Sequence, residues 1–262
     1  MTHTKKNGFS LIELLVAMAL ASVVGVILAT SYTVQVRAKN TQEILTDMNQ
    51  AARATLEIMT GEIRMAGLDP TEDANAQIIL ANVGELIFSL DRQDGATNAP
   101  DGDCCDGNEV IRYHLSPAAI DANDDGVNDN IAGGVGCNLG RETWAGNLPG
   151  NPCGAGAAPG LQPLARNVDV LNFVYLTDDN DGDGNPDVLA TPVATQALRD
   201  SIRTIEVTIV ARAGTESRGF FYTFTDTDAY FNLQGQQILP AQNDNFRRLR
   251  LATTIACRNA GL

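Results

Sequence analysis

The N-terminal part of the chain contains one long apolar stretch. Residues 14–32 carry no charged side chain, Lys5 and Lys6 precede the stretch, and a single carboxylate, Glu13, lies at its start. A helix needs about 20 apolar residues to cross the hydrocarbon layer of a bilayer. The pattern therefore predicts a membrane-spanning helix over residues 9–32.

The segment behind this stretch repeats apolar residues at intervals of three and four, which is the period of one helix face. Gly67 then provides a C-cap, and Pro70 prevents continuation. We therefore expect one helix from Phe9 to about Ala66, whose second part, residues 33–67, is amphipathic. The apolar face comprises Ile44, Met48, Ala51, Ala52, Thr55, Met59, Ile63 and Ala66.

Beyond Pro70 the apolar period changes to two, and β-forming residues become frequent. Residues 205–211 alternate cleanly, as a half-buried antiparallel strand does. A helix followed by strands predicts an α+β fold, with the long N-terminal helix packed on an antiparallel sheet in a head domain over residues 68–262. The Gly-, Asn-, Asp- and Pro-rich span 116–163 is expected to be a long excursion from the sheet. The predicted strands are 78–80, 86–90, 110–115, 168–175, 205–211, 220–224 and 249–255.

The charge balance is strongly acidic, with a formal net charge of −14 over 262 residues. Nucleic acids and anionic lipid surfaces attract basic faces, so neither is expected as a partner of the part outside the membrane. Such a charge suits a solvated extracytoplasmic surface or one that holds divalent cations. About 200 residues follow the helix, enough for one domain with its own core.

The sequence KKNGFSLIE at residues 5–13 joins a short basic leader, a glycine, a phenylalanine and a glutamate inside an apolar run. It resembles the class III leader of type IV prepilins. The resemblance implies that residues 1–8 are a leader peptide, that a prepilin peptidase cuts after Gly8, and that Phe9 becomes a methylated N-terminus. It also implies a filament building block rather than an enzyme.

Glu13 is the unusual residue of this motif, because a carboxylate in an apolar span is costly unless it is paired. The family resemblance implies that it pairs with the Phe9 ammonium of an adjacent subunit and so sets the assembly register. Alternatively, Glu13 lies at the level of the lipid headgroups. An ordinary secretory signal, cut at small residues such as 19–21, is a further alternative, and it leaves Glu13 unexplained.

Within the pilin superfamily the chain resembles PilW-type minor pilins and J-type pseudopilins, over residues 52–67, 202–207 and 246–259. This implies a minor pilin that takes part in type IV pilus assembly, with other pilins and the inner-membrane assembly platform as partners. The protein would first span the bacterial inner membrane once, with its head in the periplasm, and then enter the pilus. The alternatives are a pseudopilin at the tip of a type II secretion system and a membrane-anchored, calcium-dependent binding module that does not polymerise.

Five cysteines are present, at Cys104, Cys105, Cys137, Cys153 and Cys257, and none forms a C-x-x-C motif, which argues against zinc ribbons and attached haem. In an oxidising periplasm such cysteines normally pair. Up to two disulfides are expected. A bond between the adjacent Cys104 and Cys105 would be strained, so one of them should bond elsewhere. The span from Cys137 to Cys153 is a natural loop to close, and Cys257 could hold the C-terminus; the connectivity stays open.

Two acidic loops share the pattern D-x-[DN]-x-D-G-x-x-D in the same frame. Calcium requires six to eight oxygen ligands, which alternate side chains of a tight loop can supply. Ala132 and Ala190 stand where an EF-hand has its bidentate glutamate, so the loops resemble the shorter calcium loops of dockerin or thrombospondin repeats. Solvated turns favour the same residues. The candidate ligands of up to two Ca²⁺ ions are Asp121, Asn123, Asp125, the Val127 carbonyl, Asp129, Asp179, Asp181, Asp183, the Asn185 carbonyl and Asp187.

Nothing in the sequence indicates catalysis, since it lacks a Ser/His/Asp arrangement, a phosphate-binding glycine loop and a zinc signature. Of the two histidines, His3 would leave with the leader. His114 is expected at a surface or interface. Trp144 is expected to fill a local core, with an exposed recognition residue as the alternative.

Overall fold

The computed structural model describes residues 10–92, 99–144, 160–214, 216 and 223–259. The chain divides into two compact units, residues 1–46 and residues 47–262. The helix α1 (Leu11–Ile63) begins in the first unit and ends in the second.

In the first unit, the described residues belong almost entirely to the N-terminal part of α1, which is apolar and exposed. Its most apolar 18-residue window has a mean hydropathy of 2.6, and none of that window is buried. Among the described residues, α1 is the one helix long and apolar enough to cross a membrane.

In the second unit the last turns of α1 bury one face. The buried face confirms the predicted helical stripe at five positions beyond residue 47 and adds Leu56, whereas Ala51 is exposed. Because Met59 and Ile63 are completely buried, this part of the helix belongs to the core of the second unit. The buried residues of α1 are Met48, Ala52, Thr55, Leu56, Met59 and Ile63.

A seven-stranded antiparallel sheet is the main element of the second unit, with strand order β1-β2-β3-β4-β5-β6-β9. A separate two-stranded hairpin, β7–β8, completes the strands. Their bounds are β1 Ile78–Ala81, β2 Leu86–Ser89, β3 Val110–Ser116, β4 Cys137–Trp144, β5 Gly160–Leu176, β6 Thr204–Arg212, β7 Tyr230–Phe231, β8 Gln237–Leu239 and β9 Arg248–Ala256.

Six predicted strands are present near their predicted positions, and the α+β arrangement of a helix on an antiparallel sheet is confirmed. The seventh predicted strand, 220–224, lies largely outside the described residues. The expectation that 116–163 is only an excursion was wrong, because it contains β4, an inner strand of the sheet, and the start of β5. In β4, Cys137, Leu139 and Arg141 are buried at alternate positions. Because one of these three residues is an arginine, the sequence does not show an apolar alternation here.

Several short elements were not predicted. They are the helix α2 (Gln196–Asp200), the β7–β8 hairpin, and the 3-10 turns Ala118–Ile120 and Ile131–Gly133. Thr195 caps α2, because its side chain accepts a hydrogen bond from the Leu198 N–H. These elements are held by contacts with the sheet, and local sequence patterns of two to five residues do not specify them.

The core lies between the end of α1 and the sheet. The buried residues of α1 join apolar side chains from β1 to β6 and from β9 in one cluster. The largest fully buried side chains include Tyr113, Tyr175, Phe88 and Phe173. A smaller cluster of Ile131, Val170, Val210 and Leu239 involves the β7–β8 hairpin. The sheet is therefore packed by apolar side chains from more than one direction.

Candidate functional site

Two residues, Ser10 and Glu13, cap the start of α1 reciprocally. The Ser10 N–H donates to Glu13 Oε2 at 2.9 Å, and Ser10 Oγ accepts from the Ile12 N–H at 3.4 Å. A serine followed three residues later by a glutamate is a capping box, which satisfies N–H groups that have no partner within the helix. The negative carboxylate also lies at the positive end of the helix dipole. Gly8 and Phe9 lie outside the described residues.

The two acidic loops, residues 121–129 (loop A) and residues 179–187 (loop B), fold in the same way. Counted from the first aspartate of each loop, the carboxylate at position 1 accepts from the N–H at position 6, at 2.9 Å in loop A and 2.8 Å in loop B. The N–H at position 2 donates to the aspartate at position 9, at 2.9 and 3.1 Å. The N–H at position 7 donates to the aspartate at position 5, at 2.8 and 2.7 Å. The repeated sequence pattern is thus a repeated hydrogen-bond pattern.

The backbone conformations also match. Positions 4 and 6 are left-handed in both loops, with φ of 55° and 77° at Asp124 and Gly126 and of 79° and 89° at Gly182 and Gly184. Left-handed backbone suits glycine and is tolerated by Asp. The glycine predicted to supply the sharp turn has that role in each loop.

Loop A is built into the sheet. The Leu171 N–H donates to the Gly126 carbonyl at 2.8 Å, the Asn128 N–H donates to the Asp169 carbonyl at 2.9 Å, and Val127 forms an antiparallel bridge with Val170. A Cβ at Gly126 would lie 2.0 Å from the Leu171 carbonyl oxygen. Loop A therefore pairs with the part of β5 that lies beyond its pairing with β4.

The first carboxylate of loop A is buried. Asp121 is 6% exposed, and both of its oxygens accept backbone N–H groups. Burial raises the pKa of Asp121 to about 6, and the nearby charges of Asp125 and Asp124 act in the same direction. In this loop the amide of Asn123 donates to Asp125 Oδ2 at 2.9 Å.

Loop B is exposed and has aspartates at all three of positions 1, 3 and 5. The carboxylates of Asp179, Asp181 and Asp183 each place an oxygen within 4.8 Å of the others, the only such group of three potential metal-ligating side chains among the described residues. Hydrogen bonds from the Gly184 and Gly182 N–H groups lower the pKa of Asp179. The sequence predicted this convergence at positions 1, 3 and 5 of the loop.

The cysteines pair only in part as expected, since Cys105 is bonded whereas three others are free. Cys104, Cys137 and Cys257 are free and buried, and burial raises the pKa of each thiol to about 12. The Cys104 thiol faces the Ala74 carbonyl and the Cys137 thiol the Val168 carbonyl, so both behave as core residues. Hence neither a bond from Cys137 nor one from Cys257 is present. Cys105 is disulfide-bonded.

Cys153 lies outside the described residues. His114 is buried rather than at a surface, because β3 is an inner strand. Its Nδ1 lies 2.7 Å from the Leu115 carbonyl and its Nε2 lies 3.2 Å from Glu142 Oε1. Trp144 is the last residue of β4, and its side chain is outside the described part.

Sequence reasoning missed a polar cluster that joins α1 to the sheet. Glu62 accepts one bifurcated hydrogen bond from the Arg141 Nε–H, at 3.1 Å to Oε1 and 2.9 Å to Oε2, and another from Arg141 Nη2 at 2.7 Å. The Tyr113 hydroxyl also donates to Glu62. Arg141 is 8% and Glu62 16% exposed. One sequence signal could have indicated this cluster: Arg141 alternates along β4 with Cys137 and Leu139, which are buried.

A second missed cluster is centred on Arg248, whose side chain is completely buried. It binds Asp169 at 2.7 Å, Asp226 at 2.9 Å and Asp244 at 2.6 Å. Asp169 also supplies the carbonyl that binds loop A, so this cluster fixes the strand on which loop A rests.

The family model of the prokaryotic N-terminal methylation motif matches residues 3–29. These residues include the Ser10–Glu13 capping box and the first part of the exposed apolar helix. Residues 3–29 thus have the N-terminal methylation motif of prokaryotic pilin-like proteins. The motif and the exposed apolar helix are consistent with membrane anchoring.

Among solved structures, the chain is similar to a type IV-like pilin from Thermus thermophilus, with 14% sequence identity and a TM-score of 0.47. The similarity covers 82% of this chain and 100% of that one. No curated protein matches the sequence.

Proposed function

We propose that this protein is a minor pilin of the PilW type, which is cut after Gly8 by a prepilin peptidase, methylated at Phe9 and assembled into a type IV pilus. The observation that carries the proposal is the methylation motif over residues 3–29, placed directly on a helix whose apolar window is entirely exposed. An exposed apolar helix of this length needs a bilayer before assembly and other helices after it. The partners are other pilins and the inner-membrane assembly platform.

The role proposed for Glu13 is an exchange of partners. Before assembly, Glu13 accepts the Ser10 N–H of its own helix. After cleavage the Phe9 ammonium of a neighbouring subunit offers a full positive charge to the same carboxylate. An ion pair in an apolar surrounding is stronger than a neutral hydrogen bond. Assembly therefore replaces the weaker contact with the stronger one.

The test is the replacement of Glu13 by alanine, with Glu43→Ala as the matched control. Glu43 is an exposed carboxylate on the same helix, with only a surface ion pair to Lys39 at 3.5 Å. Membrane and pilus fractions are compared by immunoblot. The proposal expects normal membrane insertion and processing of both variants, but loss of Glu13→Ala from the pilus fraction. Equal incorporation of the two variants would favour a membrane-anchored module that does not polymerise.

The pseudopilin alternative predicts the same N-terminal processing and the same sensitivity to Glu13. The two functions differ in the assembly that receives the protein. Immunogold labelling of extended surface filaments supports the minor pilin. Co-purification with components of a type II secretion system, without labelled filaments, supports the pseudopilin.

We further propose that loops A and B bind Ca²⁺. Support comes from the shared hydrogen-bond pattern of the two loops and from the three convergent carboxylates of loop B. Hard oxygen donors on a tight loop suit calcium. In loop B the three carboxylates repel one another in the absence of a cation, and an ion at this position would remove that repulsion.

Calcium binding is tested by the thermal unfolding of the full chain in detergent micelles. A ligand that binds only the folded state stabilises it by RT ln(1 + [L]/Kd), which is about 2.7 kcal/mol at one hundred times Kd. We expect millimolar calcium to raise the unfolding temperature by several degrees relative to chelator. Asp183→Ala and Asp125→Ala should each reduce the rise and together abolish it. Asp228→Ala, an exposed aspartate outside both loops, is the control. The absence of any rise would contradict the proposal.

A further inference from the structure

A groove of about 540 Å³ lies between the last turns of α1 and the edge strand β9. Leu56 and Leu251 contribute apolar surface, Ala252 and Thr253 form the strand side, and Arg53 and Arg64 lie along the helix side. All of these residues belong to the second unit. The groove thus combines apolar surface, a strand backbone and cationic side chains.

Gly61 leaves one position on the helix side of the groove without a side chain. It lies in the interior of α1, where glycine is less favourable than every residue except proline. A Cβ built at Gly61 meets no atom within 4 Å, so packing within the protein does not require glycine there. The missing side chain instead leaves room for something outside the chain.

Among the described residues, the strand side of the groove is an open sheet edge. At the opposite edge of the sheet, β1 is covered: the Val193 N–H donates to the Ala81 carbonyl, and the Arg199 and Gln196 side chains donate to the Ile78 carbonyl. β9 pairs with β6 along its whole length, and within the described ranges no backbone group binds its outer side. Because the described part of the chain leaves this edge of nine residues unpaired, it offers N–H and C=O groups to an added strand.

The charge of the groove is opposite to that of the molecule. The chain carries −14, whereas the groove has two arginines against one glutamate, Glu57. Neither Arg53 nor Arg64 forms an ion pair with the described residues. Complementarity therefore selects an acidic occupant over a basic one.

We propose that the α1–β9 groove receives an extended, acidic segment of a neighbouring pilin-like subunit, which pairs with β9 as an added strand. Backbone hydrogen bonds to β9 give the register, Leu56 and Leu251 receive an apolar side chain, and Arg53 and Arg64 bind acidic side chains. This is strand addition at a sheet edge. The identity of the partner as a subunit of the same assembly rests on the proposed function.

The test uses the full chain in its native membrane, with the photo-cross-linking residue p-benzoylphenylalanine in place of Thr253. Cross-linked peptides are identified by mass spectrometry. The expected product joins residue 253 to an acidic segment of a subunit that itself has an N-terminal methylation motif. Gly61→Leu fills the groove without removing a contact and should lower the yield at least tenfold. Ala51→Leu adds the same side chain to an exposed position on another face of α1 and should leave the yield unchanged.

Two controls keep the outcomes separate. Helix content and the unfolding temperature must be the same for Gly61→Leu and Ala51→Leu, and the double variant Arg53→Glu, Arg64→Glu should reduce the yield as Gly61→Leu does. A yield that is insensitive to Gly61→Leu, or a product with a lipid or a basic segment, overturns the proposal. The N-terminus is determined in the same samples. A chain that starts at Phe9 but gives no product defeats the groove proposal alone, whereas a start elsewhere defeats the proposed function.

Discussion

Gly126 and Gly184 occupy the same position of loops A and B but have different surroundings. Both are left-handed, with φ of 77° and 89°. A Cβ would lie 2.0 Å from the Leu171 carbonyl oxygen at Gly126 and would meet nothing within 4 Å at Gly184. Gly184 is required by its backbone conformation alone, whereas Gly126 is required also by the close approach of β5.

This difference predicts unequal effects of the same substitution. Gly184→Ala should cost only the left-handed strain, about 1 kcal/mol. Gly126→Ala should cost more than about 4 kcal/mol, because loop A must move away from β5. Thermal unfolding in the presence of a chelator separates the backbone effect from cation binding. Similar losses in the two variants would mean that loop A is not packed on β5 as described.

At the scale of elements, the decisive contact is that between α1 and the inner strands. Glu62 binds both Arg141 of β4 and Tyr113 of β3. Because the arginine is buried, removal of its partner leaves an uncompensated charge in a place with little water. This cluster therefore fixes the end of α1 on the sheet.

Glu62→Ala should lower the free energy of unfolding by about 3 kcal/mol, as expected when one partner of a buried pair is removed. Glu62→Gln retains hydrogen bonding without the charge and should have an intermediate effect. Glu57→Ala, an exposed glutamate on the same helix, is the control and should change stability by less than about 0.5 kcal/mol. Chemical denaturation followed by circular dichroism measures all three. If Glu62→Ala matched Glu57→Ala, the cluster would contribute nothing.

The sequence predicted those elements whose local pattern agrees with their environment. The apolar face of α1, from Met48 to Ile63, and strands such as residues 205–211 have the expected period. β4 was missed because its inward Arg141 is neutralised by Glu62, 79 positions away in sequence. The pattern of the two acidic loops was predictable because it is local in sequence. The burial of loop A was not predictable, because it depends on a distant contact. It depends on β5, which the loop contacts through Leu171.

At the scale of the whole molecule, the two units differ in what they bury. The first unit presents an apolar helix, and none of its most apolar 18-residue window is buried. The second unit has its own core, to which α1 contributes Leu56, Met59 and Ile63. The head is therefore not independent of the helix, and its core begins before residue 68.

Two fragments test this boundary. A fragment of residues 47–262 should fold, whereas one of residues 68–262 should not, since it lacks the core side chain of Ala66 and three large ones, those of Leu56, Met59 and Ile63. The three large side chains are worth about 1.5–3 kcal/mol each, against a typical total stability of about 5–15 kcal/mol. The shorter fragment also leaves Arg141 without Glu62. Amide dispersion in an NMR spectrum distinguishes the two. A well-folded 68–262 fragment would show that the end of α1 is dispensable.

The central claim is that the N-terminus is processed as a pilin. The most direct measurement is the intact mass and the N-terminal peptide of the protein isolated from its native membrane. We expect a chain that begins at Phe9 and carries one methyl group on its amino nitrogen. A chain that begins beyond residue 20 would contradict the account, because an ordinary signal peptidase would then have removed Glu13 and the helix start together.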